Sequence, residues 1–511
     1  MGDAAEKKNQ KTVRKSDSAY DVVINRRTQE LVIGFCGALG SGVSSAISVL
    51  ETIFSGINYN VKIIKMSDLI LRSTHLENNF ADESDRITKL QDCGNKLRQH
   101  TSKDILAQLA IEELKAIRMS EHKLEPKDPL PVEERVLWII DSIKHPAEVE
   151  LFRAVYGSMF YLVGVLCPEE TRIHRLVKSK EINQASAVAL IERDKSEDLA
   201  YGQKLLKALQ HADFFINYSD YNRPNLSSIF ERFIRLLFGV NISPTKGEFA
   251  MHVAWSSSLR SACLSRQVGA AIINDAGEII ATGCNDVPSP NGGLYNSQDR
   301  CGDHRCYNTH EKCCSSDKYK KTLYTDIKKV LDDHNLGSED SDQILSEIKR
   351  NTRIKDLIEF SRAVHAEMDA IVAASRKVSC STKNAIMYVT TFPCHNCAKH
   401  IVASGIRSVY YIEPYEKSLA FDLHDDSISI GESEGKIAFL PFEGVAPKLY
   451  AKVFMQRGDR KIDGIVNEVN LSEVPPVSDK FVDGYAYYEV RVIDKLNKFK
   501  KDDKIVYKED E

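Results

Sequence analysis

One histidine and two cysteines, placed as His365-Ala366-Glu367 and then Pro393-Cys394-His395-Asn396-Cys397, constrain this chain more than any other feature. Three such donors fill three of zinc's four tetrahedral positions and leave the fourth for a water. Glu367 is not needed as a ligand, so it is free to move protons. A C-x-x-C pair alone is shared by structural knuckles and redox pairs. The histidine, the glutamate and the pair in this order form a much stronger signal. The alternative is a structural Cys2His knuckle with an incidental glutamate, although structural sites are normally closed by a fourth protein ligand. The fold must therefore bring two separate segments, each opening a helix, to one point. Cys394 and Cys397 at a helix N-terminus are favoured as thiolates, because backbone N–H groups and the helix dipole stabilise negative charge there.

The remainder of the chain is that of a globular protein, with 42% hydrophobic and 28% charged residues among 511. That length implies about two to three domains. A formal charge of −4 gives no support to a broad nucleic-acid surface. No apolar run approaches the ~18 residues of a membrane span. Met1–Lys15 is polar and charged with no apolar core, so it is not a secretory signal, and 1–27 reads as a disordered leader. The expected location is the cytoplasm, where the 12 cysteines stay reduced and clustered ones serve metals before disulfides.

Short apolar runs punctuate the first half: Leu31–Cys36, Val61–Lys65, Val136–Ile140, Met159–Leu166 and Asp213–Asn217. Helical patterns lie between them, as at Ile105–Ile117 and Ala185–Arg193. Strands alternating with helices indicate βαβ units and a parallel sheet, so the fold class is α/β. The domain expected over 28–240 ends at a linker, Asn241–Lys246, with Pro244. A second α/β/α domain is expected over 248–511. It opens with a helix from Glu248 through Ser265, then a hairpin of Val268–Ile273 and Glu278–Thr282. The helix after His365 should bury Met368, Ile371 and Val372 on one face. Ala385–Thr390 is a strand running into the C-x-x-C helix, and Ser408–Ile412 is the next strand.

Glu248 to Gln456 resembles the cytidine deaminase superfamily and, within it, deoxycytidylate deaminases. The resemblance rests on the zinc motifs, on Ser265-Arg-Gln-Val-Gly-Ala-Ala-Ile272, Ala281-Thr-Gly-Cys-Asn285 and Val389-Thr-Thr-Phe-Pro-Cys-His-Asn-Cys-Ala-Lys399, and on Phe442-Glu-Gly-Val-Ala-Pro447. It implies zinc on His365, Cys394 and Cys397, Glu367 as the proton carrier, and attack of water at C4 of a cytosine ring. It also implies that Asn285 contacts the nucleoside. The family's G-Y-N-G is here Gly283-Cys284-Asn285-Asp286. Arg266 is either a phosphate contact, suited by its fork of donors, or a surface charge.

Cys301, His304, Cys306, His310, Cys313 and Cys314 crowd six donors into one short segment. They form either a second, structural zinc site, as related deaminases often carry, or a loop of free cysteines. The insertion over about 296–360 is charged and helical in pattern. It is either a lid or oligomer contact at the active-site rim, or a solvated hairpin.

The strand at Leu31–Cys36 runs into Gly37-Ala-Leu-Gly40-Ser41-Gly42-Val43-Ser44. This matches the phosphate-binding pattern G-x-x-x-x-G-K-[ST] except that Val43 replaces the lysine. Backbone N–H groups can still cradle phosphate there, and Ser44 can still hold magnesium. The missing lysine argues against phosphoryl transfer. With Trp138–Asp141 in the Walker B position, the region resembles P-loop nucleotide kinases and reads as a nucleotide-binding or structural regulatory domain. The two domains in this order resemble bacterial antiphage deoxycytidine-nucleotide deaminases. That resemblance implies conversion of dCTP, and often dCMP, to deoxyuridine nucleotides, restraint by a small RNA or nucleotide effector, and homo-oligomers, often hexamers. The rival reading is a housekeeping dCMP deaminase for thymidylate supply.

Overall fold

The computed structural model describes residues 27–501 except 75–78, 124–133, 196–203, 219–225, 291, 300–301, 335–337, 379–380, 416–417, 432, 457 and 478–481. The leader expected over 1–27 therefore lies almost wholly outside the described residues. The described chain builds two six-stranded sheets.

The first sheet is assembled from β1 (Leu31–Gly37), β2 (Asn60–Lys65), β3 (Val136–Asp141), β4 (Phe160–Leu166) and β5 (Phe214–Asn217). All are parallel, and β1 lies between β3 and β4. Every residue of β1 is buried. Helices on both faces of a parallel sheet explain why its strands read as unbroken apolar runs. Five helices around this sheet and at its border bear on the sites: α1 (Val43–Gly56), α2 (Ile105–His122), α3 (Glu169–Lys180), α4 (Gln184–Lys195) and α5 (Lys246–Ser258). Helix α5 opens with a capping box, in which Thr245 accepts from Glu248 N and Glu248 reaches back to Thr245 N.

Helix α5 stops at Ser258, earlier than the expected Ser265. A run of serines ends it by taking backbone partners: Ser257 Oγ donates to Val253 O and Ser258 Oγ to Trp255 O. Ser261 Oγ turns away to Asn285 O.

The second sheet contains β6 (Gly269–Ile273), β7 (Ile279–Cys284), β8 (Ile386–Thr391), β9 (Ser408–Glu413), β10 (Ile428–Ile430) and β11 (Ile437–Pro441). Strand β6 pairs antiparallel with β7 and β8, and the rest of the sheet is parallel. The insertion forms α6 (Ser315–Asp333) and α7 (Ser338–Asn351). Helix α8 (Ala366–Ser375) lies on β7, and α9 (His395–Ala403) comes after β8.

The expected unit 248–511 does not stay with the second sheet. Strand β12 (Gly444–Val445) adds an antiparallel edge to β5 of the first. Glu248 ties this junction, accepting from Val445 N at 2.9 Å and from Arg232 at 2.7 and 2.8 Å. The last helix, α10 (Val482–Lys501), packs on α2. There Arg118 bonds Glu30 and Glu489, all three buried, and Tyr156 donates to Glu489 at 3.0 Å. A sequence boundary drawn from composition misses this return, because it depends on buried ion pairs between residues hundreds of positions apart. Among the described residues no helix is long and apolar enough to cross a membrane.

Candidate active site

Helices α8 and α9 present their N-termini to one another. His365 is the N-cap of α8 and Cys394 the N-cap of α9, both with extended backbone. Cys397 sits in the first turn of α9. His365 Nδ1 lies 3.3 Å from Cys394 Sγ and 3.4 Å from Cys397 Sγ. A tetrahedral zinc with bonds of about 2.3 Å to sulfur and 2.0–2.1 Å to nitrogen needs N···S edges of about 3.5 Å. The three donors fit such an ion, and among the described residues they are the one group of three or more metal-type donors that converge.

The helix approach that makes this possible comes from small residues. A Cβ on Gly283 would stand 2.2 Å from Ala366 O and 2.4 Å from Ala370 N, so only glycine lets α8 lie this close to β7. Asp369 on α8 accepts the Cys284 N–H at 3.1 Å. The buried face of α8 is accordingly Ala366, Glu367, Asp369, Ala370 and Ala374. The expected face of Met368, Ile371 and Val372 is overturned: Val372 is 42% exposed and the other two are half-buried. Hydrophobicity pointed to the larger side chains, but close backbone approach selects alanines.

Burial, with the Cys394 thiolate next in weight, pushes the Glu367 carboxyl up to about 7. A hydrogen bond from Cys397, opposed by burial and aided by His365, holds the Cys394 thiol down at about 4. His365 is raised to about 8, mainly by its bond to Cys394. The donors are thus arranged around negative charge on sulfur, which suits a cation.

A cavity of about 300 Å³ opens above these residues. His365, Glu367 and Cys394 line it, with Arg266 and Asn285 on its wall. The Arg266 guanidinium stands 5.7 Å from the Tyr415 ring. Asn285 is buried, and its amide is engaged: Oδ1 accepts Val268 N–H at 2.7 Å and Nδ2 donates to Arg266 O at 2.8 Å. Its observed work is to hold the Arg266–Val268 segment against the cavity. The insertion reaches the rim, where Ser316, Asp317 and Lys320 of α6 line the cavity with Leu357 and Ile358. Sequence reasoning named the insertion but not these residues, nor Tyr415. The position of Tyr415 just beyond the carboxyl end of β9 was the available signal, since α/β sites gather there.

Among the described residues the second cysteine cluster does not gather. Cys301 lies outside the described residues. Cys306 Sγ faces Ser315 Oγ and Cys314 Sγ faces Ser265 Oγ, each at 3.8 Å. Cys313 is exposed, and the His304 ring packs on Tyr295 at 5.6 Å. Among the described residues, no three of His304, Cys306, His310, Cys313 and Cys314 converge. The segment is organised by Arg305 instead, which bonds Asp303 at 2.7 Å and reaches Asp286 at 3.4 Å. That bond holds the Asp303 carboxyl well below the usual range.

In the first sheet, the loop from β1 to α1 turns through Gly40 and Gly42, both at positive φ (79° and 95°). Gly37 ends β1, Ser41 is buried, Gly42 is the N-cap of α1, and Val43 and Ser44 begin the helix with Ser44 exposed.

A histidine, a cysteine pair and a buried glutamate beneath an open cavity, on a mixed sheet flanked by helices, fit a hydrolytic deaminase of nucleotides. Residues 244–413 match the family model described as the cytidine and deoxycytidylate deaminase zinc-binding region. The deoxycytidylate deaminase of Enterobacteria phage T4 is 34% identical over 173 residues, covering 34% of this chain and 80% of that protein. The chain belongs to the cytidine and deoxycytidylate deaminase family. Its N-terminal part is similar to a UPF0200 protein of Saccharolobus islandicus, 29% identical over 202 residues, covering 38% of this chain and 88% of that protein. Among solved structures, the apo dCMP deaminase of cyanophage S-TIM5 aligns over 39% of this chain and 100% of its own, at 19% identity and a TM-score of 0.23.

Proposed function

We propose that this chain deaminates deoxycytidine nucleotides, dCTP and dCMP, to deoxyuridine nucleotides, and that it does so to deplete the dCTP pool against phage. The observation that carries the chemistry is Glu367, buried beside three converging metal donors at the base of the cavity. His365, Cys394 and Cys397 would hold zinc, which supplies the Lewis acidity that makes a water nucleophilic near neutral pH.

Glu367 takes the proton that this water gives up and hands it to N3 of the cytosine ring. Oxygen bonds to C4, Glu367 takes the remaining proton from that oxygen and passes it to the amine, and the C4–N bond breaks. One water is consumed and one ammonia released. Glu367 is buried beside the three donors and lines the cavity, which places it to accept a proton and then donate it. Asn285 retains one amide N–H beyond its two backbone bonds and contacts the nucleoside. Arg266 and Lys320 face the phosphates, and a contact from the insertion would distinguish this chain from shorter deaminases. The remaining regulatory reading is that the β1–α1 loop binds a nucleotide effector, with Ser44 as its magnesium contact.

The test is product analysis by mass spectrometry on the zinc-loaded protein with dCMP, dCTP, CMP, CTP, deoxycytidine and single-stranded DNA offered separately. Deamination of dCTP is expected. Turnover of dCMP alone would favour thymidylate supply instead, and no turnover of any substrate would overturn the proposal.

A further inference from the structure

The loop after β1 is filled from inside the chain. Asp194, near the end of α4, is 1% exposed, and its Oδ2 accepts the Leu39 N–H at 2.7 Å. Leu39 belongs to the loop leading into the Gly42 N-cap of α1, the segment whose backbone N–H groups a phosphate-binding loop offers to an anion. Lys144, arriving from the turn after β3, places Nζ 2.9 and 3.0 Å from the two Asp194 oxygens and 2.8 Å from Gly37 O. An ammonium therefore stands at the mouth of the loop although position 43 is valine.

A second basic residue packs its backbone and Cβ against the loop. Arg172 of α3 is 6% exposed, and its backbone O and Cβ are what a side chain at Gly40 would meet, at 3.0 and 3.3 Å. Its Nε and Nη1 are buried with no hydrogen-bond partner among the described residues. Its Nη2 is 3.7 Å from Glu169, and Asp194 is the next acidic group acting on it. Ser41 Oγ, in the loop itself, is buried and unpartnered among the described residues as well. Unsatisfied donors on a buried guanidinium are costly, and their persistence points to a ligand they serve part of the time. Arg175 closes the outside. It donates to Ser41 O at 3.2 Å and lies 4.4 Å over the Tyr218 ring, which in turn covers Gly42.

We propose that the Gly37–Ser44 loop is a phosphate site held shut by the chain's own carboxylate. Asp194 stands where a phosphate oxygen would, and a nucleotide polyphosphate binds by displacing it, gaining Leu39 N–H, Lys144 and Arg172. This rests on reading the loop as an effector site. It adds that Lys144 and Arg172 supply the charge Val43 lacks, and that occupancy is set by competition with Asp194. The site then senses a polyphosphate rather than transferring it. Binding also releases the α4 end from the loop, giving occupancy a structural consequence.

The experiment is calorimetric titration of the full chain with inorganic tripolyphosphate and with ATP, neither of which carries a cytosine ring. Asp194→Asn keeps the size and an acceptor for Leu39 but removes the competing charge. It should bind at least about tenfold tighter than the unmodified chain, because the closed state taxes the apparent affinity. Adding Lys144→Met or Arg172→Met to it should reverse that gain. Equal or weaker binding by Asp194→Asn overturns the proposal, as does an undiminished gain in both double variants. Thermal melts of each variant confirm that the folded chain is compared. Deamination measured on the same preparations separates the readings: a tenfold gain without turnover sinks the proposed activity alone, and turnover without the gain sinks the carboxylate plug alone.

Discussion

The turn from β8 into α9 and the turn from β1 into α1 share one plan. Each comes after a buried strand and exposes the N-terminus of a helix, where anions are favoured. They differ in which atoms work. At α9 the N-cap is Cys394, in an extended backbone open to any residue, and its side chain carries the chemistry. At α1 the N-cap is Gly42 at φ 95°, where a side chain would strike Tyr218 at 2.4 Å, so the backbone is what the turn offers. The first turn faces a cavity of about 300 Å³. The second is occupied by Asp194 and covered by Arg175 and Tyr218. One sheet thus turns donor side chains toward a cavity, while the loop of the other is engaged by side chains of the chain itself.

The largest expected effect separates chemistry from metal. Glu367→Gln should lower deamination by about 10²- to 10⁴-fold, the range for a positioned proton carrier. Elemental analysis should still find zinc at its former stoichiometry. Retained turnover would remove Glu367 from its role, and lost zinc would make it a structural support.

Chelation provides the next contrast. Stripping zinc should abolish deamination until zinc is restored, while tripolyphosphate binding by Asp194→Asn persists. Parallel loss of both would mean that the two sheets fold as one metal-dependent body.

A pair of glycine substitutions sharpens the comparison. Gly283→Ala puts a methyl against the backbone of α8 and should cost about 1–3 kcal/mol in denaturant unfolding, with loss of turnover. Gly42→Ala should leave kcat for deamination within about twofold while changing the response to nucleotide, since its strain stays in the first sheet. Equal losses of kcat in both variants would defeat the division of labour.

The smallest effect concerns pH. Burial, then Arg98, lowers the His145 imidazole to about 4 from an ordinary 6.5, and the neutral ring caps the helix after β3 through Ala147 N. A depressed pKa means that this stabilisation is complete above pH 6.5 and is lost as pH falls from there through 4. His145→Asn keeps a neutral cap, so its Tm should fall less across that window. Identical slopes would place the acid sensitivity elsewhere.

Much of this was legible because it is local. The five parallel strands of the first sheet come from apolar runs, with ends within a residue or two of β1 to β5. Ligand spacing at the start of α9 comes from helix geometry alone. What failed was whatever needed a partner. Large side chains suggested the wrong face for α8, because the glycine that draws the helix in lies on another strand. Six clustered donors left a second metal or a loop of free cysteines open; among the described residues no three of them converge, and Arg305 bonds Asp303 between them.

The sequence by itself determined the three donors, the glutamate two residues after the histidine, and the strand–loop–helix that begins the chain's first sheet. Those depend on residue type and spacing over a single turn. Only the tertiary structure decided that Asp194 fills that loop from 155 positions away, that α6 walls the cavity, and that β12 and α10 return to the first sheet. The reason is physical: hydrogen bonds and ion pairs between distant residues leave no periodic trace in the chain. They exist only once packing has removed water from both partners.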